Sequence, residues 1–221
     1  MYEEKPGKEA DMVDLAERGT ALVTTEFPYS LDTGAVMTLR EAWEQLETPP
    51  GYRAEMLRGE IILSPTPIDK HNRIFGSLVT RLAAKAEAED WSVTNTQTIS
   101  LPATDEEAVP DLIVIPQEAM DSGEWRKSAE EVLLICEITS PSTRTRDREY
   151  KLKSYALAGI PLYLIVDLYD HEGTVTVYSE PDGEGAYIEH QTVGFGRSIT
   201  LPDPIGVEID TSRFVPKSRK D

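Results

Sequence analysis

Two carboxylates stand where carboxylates are costly. "VPDLIVIP" (109–116) is a short apolar strand with Asp111 at its start, and "EEVLLICEITS" (130–140) is an apolar run with Glu137 inside it. A carboxylate buried in such a strand must be paired, protonated or bound to a cation. Strand parity puts Asp111, Ile113 and Ile115 on one face, and Leu133, Ile135, Glu137 and Thr139 on one face. If the strands pair, the two acids converge at one end of a sheet. One of them would then be driven to protonate. A divalent cation removes that conflict, and hard oxygen ligands suit magnesium or manganese with water completing the shell. Spacing alone leaves a second arrangement open, with Asp111 capping a turn and Glu137 paired with an arginine of the following helix.

That helix, "TRDREYKLKSYALAG" (145–159), carries a polar stripe. Arg144, Asp147 (or Arg148), Lys151 and Tyr155 recur at three- and four-residue steps. A charged stripe is ordinarily a solvated surface. This one leaves the acid-bearing strand, so a lysine on it could hold a phosphate oxygen or a water beside the carboxylates. Arg144, Arg146, Arg148, Lys151 and Lys153 concentrate positive charge there.

The elements that must position these residues follow from periodicity. "MTLREAWEQLE" opens with a capping-box pattern, Thr38 and Glu41, and places Leu39, Ala42, Trp43 and Leu46 on one helical face. "YRAEMLRGEIILSP" predicts a hairpin turning at Arg58-Gly59. "DKHNRIFGSLVTRLAAKAEAED" predicts an amphipathic helix through Ile74, Phe75, Leu78, Leu82 and Ala86. "WSVTNTQTISLP" alternates as one half-buried strand, and "PLYLIVD" reads as a second strand buried on both faces. "TVTVYSE", "AYIEHQTV" and "SITLPD" predict an antiparallel meander. The result is an α+β fold (mixed α/β) with a helix–strand–strand–strand–helix–strand core, a mixed central sheet, a preceding hairpin and a C-terminal meander. Residues 1–34 read as an arm with a short helix at 11–18, residues 35–208 as the domain, and residues 209–221 as a loose tail.

Composition narrows the function. Lys+Arg is 22 and Asp+Glu is 40, giving a formal charge of −18. Such a surface argues against non-specific coating of nucleic acid and against anionic membranes. No stretch approaches the ~20 apolar residues of a membrane-spanning helix, and the N-terminus lacks the apolar core of a secretory signal. The single cysteine, Cys136, excludes an internal disulfide and reads as an inert core thiol, which suits a cytoplasmic protein. No nucleophile elbow, phosphate-binding glycine loop or zinc spacing is present.

"RGEIILSP", "PDLIVI", "CEITSPST" and "RDREYKLKSYALAGIPLYLIVD" together resemble the Uma-two family of restriction endonucleases, placed in the PD-(D/E)XK nuclease superfamily. The resemblance covers roughly residues 36–205. It implies a restriction-endonuclease-like fold with an αβββαβ core, matching the element order above. It also implies divalent-metal-dependent hydrolysis of phosphodiester bonds in DNA, with magnesium or manganese, by a homodimer that cuts two strands. Pro110-Asp111 becomes the "PD" of the motif and Glu137 its second acid. The superfamily places lysine two residues after that acid, where this chain has Thr139. Lys151 is the matching residue from the next helix, and Lys153, about 200° around the helix, is the lesser substitute. Glu60, after the hairpin turn, is expected in the metal shell with Asp111, Glu137 and the Ile138 carbonyl; Glu55 on the opposite arm is the other candidate. Arg144 and Arg148 are expected to bind substrate, with Tyr155 accessory. His71, in the first turn of its helix, reads first as a surface or capping residue and second as an accessory one. A non-catalytic binding or assembly module that keeps the acid cluster is the rival reading.

Overall fold

The computed structural model describes residues 21–22, 37–67 and 69–215. The helix expected at 11–18 and most of the 1–34 arm lie outside the described residues.

A six-stranded mixed sheet forms the centre, in the order β12-β11-β10-β9-β7-β4. Its strands are β4 (Trp91–Thr94), β7 (Leu112–Pro116), β9 (Leu134–Ile138), β10 (Leu162–Asp167), β11 (Thr174–Pro181) and β12 (Tyr187–Gly194). Only β9 and β10 run parallel; the other neighbours are antiparallel. Parallel neighbours need a long crossover, and the helical segment leaving β9 supplies it. Every residue of β9 and β10 is buried, as continuous apolar runs require.

Alternation divides the core into two layers. Leu112, Val114, Leu134, Cys136, Leu164 and Val166 face Ile74, Leu78 and Leu82 of a long helix, Asp69–Ala88. Ile113, Ile115, Ile135, Tyr163 and Ile165 face the crossover helix, Leu152–Leu157, and a second sheet. That sheet contains the predicted hairpin, β2 (Tyr52–Leu57) and β3 (Glu60–Pro65), and runs β1-β3-β2-β6-β5-β8, where β1 is Ala21–Leu22, β5 Thr98–Leu101, β6 Glu106–Ala108 and β8 Arg126–Ser128. Arg58 (φ 52°) and Gly59 (φ 74°) both take left-handed backbone, the requirement of a tight two-residue hairpin turn. The helix Leu39–Glu44 closes the outer side of the hairpin, with the Thr38–Glu41 capping box formed and the Trp43 indole N–H donating to the Ala54 carbonyl (3.3 Å). The long helix, β4, β7, β9, the crossover helix and β10 follow the αβββαβ order, so the fold class read from the sequence holds.

Three boundaries differ. The expected single strand at 91–102 is two: Thr96, at φ 58°, breaks the ladder. The chain then continues as β5 (Thr98–Leu101) in the second sheet. The expected meander stops at β12. β13 (Ser198–Leu201) pairs with β14 (Val207–Asp210) in a separate hairpin, because Ile199, Leu201 and Ile209 are buried in the long-helix layer. For the same reason residues 209–214 are not a loose tail. Phe214 is fully buried, packs edge-on against Phe195 and offers its carbonyl to Arg73 (3.1 Å).

Candidate active site

β7 and β9 place the two strand acids side by side. The register Leu112↔Cys136, Ile113↔Ile135 continues to Asp111 opposite Glu137. The Ile138 N–H donates to Asp111 Oδ2 (2.8 Å), locking the Asp111 carboxylate across the strand end. Both acids line a pocket of about 320 Å³ between the central sheet, the hairpin and the start of the crossover helix.

The hairpin contributes Arg53 and Glu55, which share one face of β2. Arg53 donates to Asp111 Oδ1 (2.8 Å), and Glu55 Oε1 accepts the Val109 N–H (2.9 Å). The crossover helix contributes Lys151, whose ammonium sits 2.7 Å from Glu55 Oε1 and 2.8 Å from Glu137 Oε1. The Tyr155 hydroxyl donates to the same Glu137 oxygen (2.9 Å). His71 Nε2, from the first turn of the long helix, lies 3.0 Å from Asp111 Oδ2. Asp147, buried beside Lys151, has an Oδ1 with no hydrogen-bond partner.

A π-helical stretch, Arg146–Lys151, explains how the crossover helix presents these groups. The wider turn moves residues off the 3.6-residue repeat. Asp147 and Lys151 become buried, while Arg144 and Arg148 turn to Asp167 and Asp170.

The expected repulsion between the acids is resolved unequally. Burial pushes the Asp111 carboxyl up, but His71, Arg53 and the Ile138 N–H outweigh it and hold the group well below the usual carboxylate range. For Glu137, burial dominates over Lys151 and is reinforced by Asp111, Asp147 and Glu55, so its carboxyl is pushed up to about 8. Burial likewise raises Asp147 to about 6 against the pull of Lys151. Burial disfavours the Lys151 ammonium, yet Glu137 and Glu55 keep it charged and above the usual amine range. The pocket holds four carboxylates, Glu55, Asp111, Glu137 and Asp147, against three permanent cations, Arg53, Arg146 and Lys151.

The structure gathers Asp111, Glu137, Ile138, Lys151, Tyr155, Glu55 and His71. It does not gather the rest. Glu60 is exposed at the hairpin end, opposite Leu57, and is absent from the pocket wall. Hairpin alternation leaves Glu55 pointing inward in its stead. Lys153 is exposed, as its angle around the helix implies. Arg144 and Arg148 lie off the pocket wall and are paired: their Nε atoms donate to Asp167 (2.8 and 2.6 Å) and their outer nitrogens to Asp170 (3.2 and 3.1 Å). His71 is not a surface residue but a partner of Asp111. The Thr139 hydroxyl donates to Asp167 (3.1 Å). Arg53, Arg146 and Asp147 are the pocket groups not singled out for this role from sequence. The i, i+2 charged pair Arg53 and Glu55 on one strand face was the available signal for the first.

Among the described residues no group of three or more His, Cys, Asp or Glu side chains is placed to hold a metal ion. The donors nevertheless suit one kind of cation. Magnesium is commonly held through one or two carboxylates with retained waters and substrate phosphate rather than in a complete protein cage. Asp111, Glu137 and the unpartnered Asp147 Oδ1 supply hard oxygen of that kind, and Lys151 would have to yield its hold on Glu137.

No curated protein matches this chain. Among solved structures it is similar to one titled "Crystal structure of a putative nuclease belonging to DUF820 from Anabaena variabilis ATCC 29413". The two are 19% identical, with a TM-score of 0.61 over 81% of this chain and 97% of that one, a likeness of fold. No helix among the described residues is long and apolar enough to cross a membrane. The Uma2 family model, described as "Putative restriction endonuclease", matches residues 40–212, and over that span this chain belongs to the Uma2 family.

Proposed function

We propose that this protein is a divalent-metal-dependent endonuclease that hydrolyses phosphodiester bonds in DNA. The observation that carries the reading is Asp111 opposite Glu137 at one strand end, with Lys151 between Glu137 and Glu55 on the wall of an open pocket. Asp111, Glu137 and the Ile138 carbonyl would hold magnesium or manganese, with Glu55 in the place expected of Glu60. When bound, the cation supplies a Lewis acid and a more acidic water. Arg53, His71 and the Ile138 N–H keep Asp111 ionised and fixed. Tyr155 orients the Glu137 carboxylate. The Lys151 ammonium, kept charged by its two acids, stabilises negative charge developing on the phosphoryl oxygens. A cytoplasmic homodimer, each copy cutting one strand, completes the reading; light scattering that gives a monomer mass across micromolar concentrations would remove the paired cut.

One observation favours the rival. Lys151 satisfies Glu55 and Glu137 without any metal, as a binding module that keeps the cluster for stability would require. Cleavage of supercoiled plasmid with and without magnesium or manganese separates the two. Metal-dependent nicking by wild type, abolished in Asp111→Asn and Glu137→Gln, is expected. No cleavage under either metal would favour the binding module.

A further inference from the structure

The sequence offers three arginines at alternate positions, Arg144, Arg146 and Arg148, and the structure divides them. The outer two close on Asp167 and Asp170. The middle one turns the other way and lines the acid pocket. Of the three permanent cations on that wall, Arg53 is paired with Asp111, and Lys151 with Glu55 and Glu137. Arg146 makes no ion pair or hydrogen bond among the described residues, and its Nε is buried without an acceptor. A guanidinium N–H taken from water without an acceptor is destabilising. Such a cost is retained where a ligand later supplies the acceptor. The guanidinium matches phosphate oxygens, which it binds through two parallel N–H donors. The ionised carboxylates nearby disfavour an anion elsewhere in the pocket; Arg146 feels Glu55 and Asp147 through space but is hydrogen-bonded to neither, so its N–H donors remain for a phosphate.

We propose that Arg146 is the substrate-binding residue of this site and grips a backbone phosphate of the nucleic acid. This rests on the nuclease reading above. It replaces Arg144 and Arg148 in that role. It also lets a strongly acidic protein bind a polyanion through one local contact rather than a basic surface.

The test is binding of fluorescein-labelled duplex DNA to the full chain by anisotropy, without added metal, across a series of salt concentrations from low salt upward. Each phosphate contact contributes about −0.9 to the slope of log affinity against log salt. Arg146→Gln is expected to weaken binding roughly tenfold and flatten the slope by about 0.9, and Arg146→Lys to restore the slope. Arg148→Gln, checked for folding by thermal melt, should keep the wild-type slope. A wild-type slope in Arg146→Gln overturns this assignment and leaves the nuclease reading standing. Wild type that binds no DNA at low salt overturns both.

Discussion

Two carboxylate clusters lie at the same end of neighbouring parallel strands, and they are built to opposite rules. On β10, Asp167 accepts from Arg144, Arg148, the Thr139 hydroxyl and the Tyr169 N–H. Burial pushes its carboxyl up, but these donors outweigh burial and leave it below its usual value. With Asp170 sharing both arginines, that cluster balances two acids with two cations. One strand over, Glu137 shares a single lysine with Glu55 and stands next to Asp111 and Asp147, and its carboxyl rises to about 8. Both clusters are hydrogen-bonded, but the arginines and Asp170 of the first are partly exposed, whereas the acids and lysine of the second are almost wholly buried. Deeper burial together with an excess of acids over cations distinguishes the site that would take a further cation from the cluster that staples the crossover helix to the sheet.

The sharpest way to break this comparison is at Lys151. Removing one partner of a buried ion pair costs about 3–5 kcal/mol. Lys151→Ala should therefore melt well below wild type, and millimolar manganese should recover part of the loss by binding only the folded state. Among molecules that stay folded, the cleavage rate should fall roughly 10²–10³-fold. Lys153→Ala should be silent in both assays. An equal rate in wild type and Lys151→Ala would take the lysine out of the mechanism.

The balanced cluster should behave as structure alone. Asp167→Asn leaves two arginines without their shared acceptor and should cost about 2 kcal/mol at pH 7 by denaturant titration. The carboxyl is lowered in the folded state, so its contribution is present above the unfolded value near 3.9 and is lost as pH falls through the folded one. Asp167→Asn should accordingly flatten the acid side of the stability curve below about pH 4. Cleavage at neutral pH should not change. A loss of rate at full folding would place Asp167 in the chemistry.

Much of the site was legible because it violates a rule. An acid inside an apolar strand is visible at Glu137, and another after Pro110 is visible at Asp111. Lys151 and Tyr155 lay on the stripe of the helix between the buried strands. The hairpin turn was legible from Arg58-Gly59, but which of Glu55 and Glu60 points inward depends on how β2 and β3 lie over the central sheet, a tertiary matter. The π-helical turn was invisible too, so a regular helical wheel could not separate Arg146 from Arg144 and Arg148. The partners of those two, Asp167 and Asp170, come some 20 residues later. His71 carried no pattern at all, since one histidine in a first turn has no periodicity to read. In the fold, β6 (Glu106–Ala108) and β8 (Arg126–Ser128) escaped because three polar-rich residues show no alternation.

Smaller effects sharpen the same contrast. Glu55→Gln should lower cleavage at least tenfold, since it alters the charge on Lys151 and a wall of the pocket, whereas Glu60→Gln should match wild type in rate and melting temperature. Arg144→Gln breaks an ion pair in which the arginine is 39% exposed. Its loss should barely shift the melting temperature, with cleavage unchanged.

The unbalanced cluster is tested most directly by titrating manganese into the full chain by calorimetry. Wild type and Asp167→Asn are expected to bind at a single site, with binding lost in Asp111→Asn and in Glu137→Gln. Wild type that takes up no manganese at millimolar concentration, or a Glu137→Gln variant that binds as wild type does, would contradict the assignment of this pocket as a metal site.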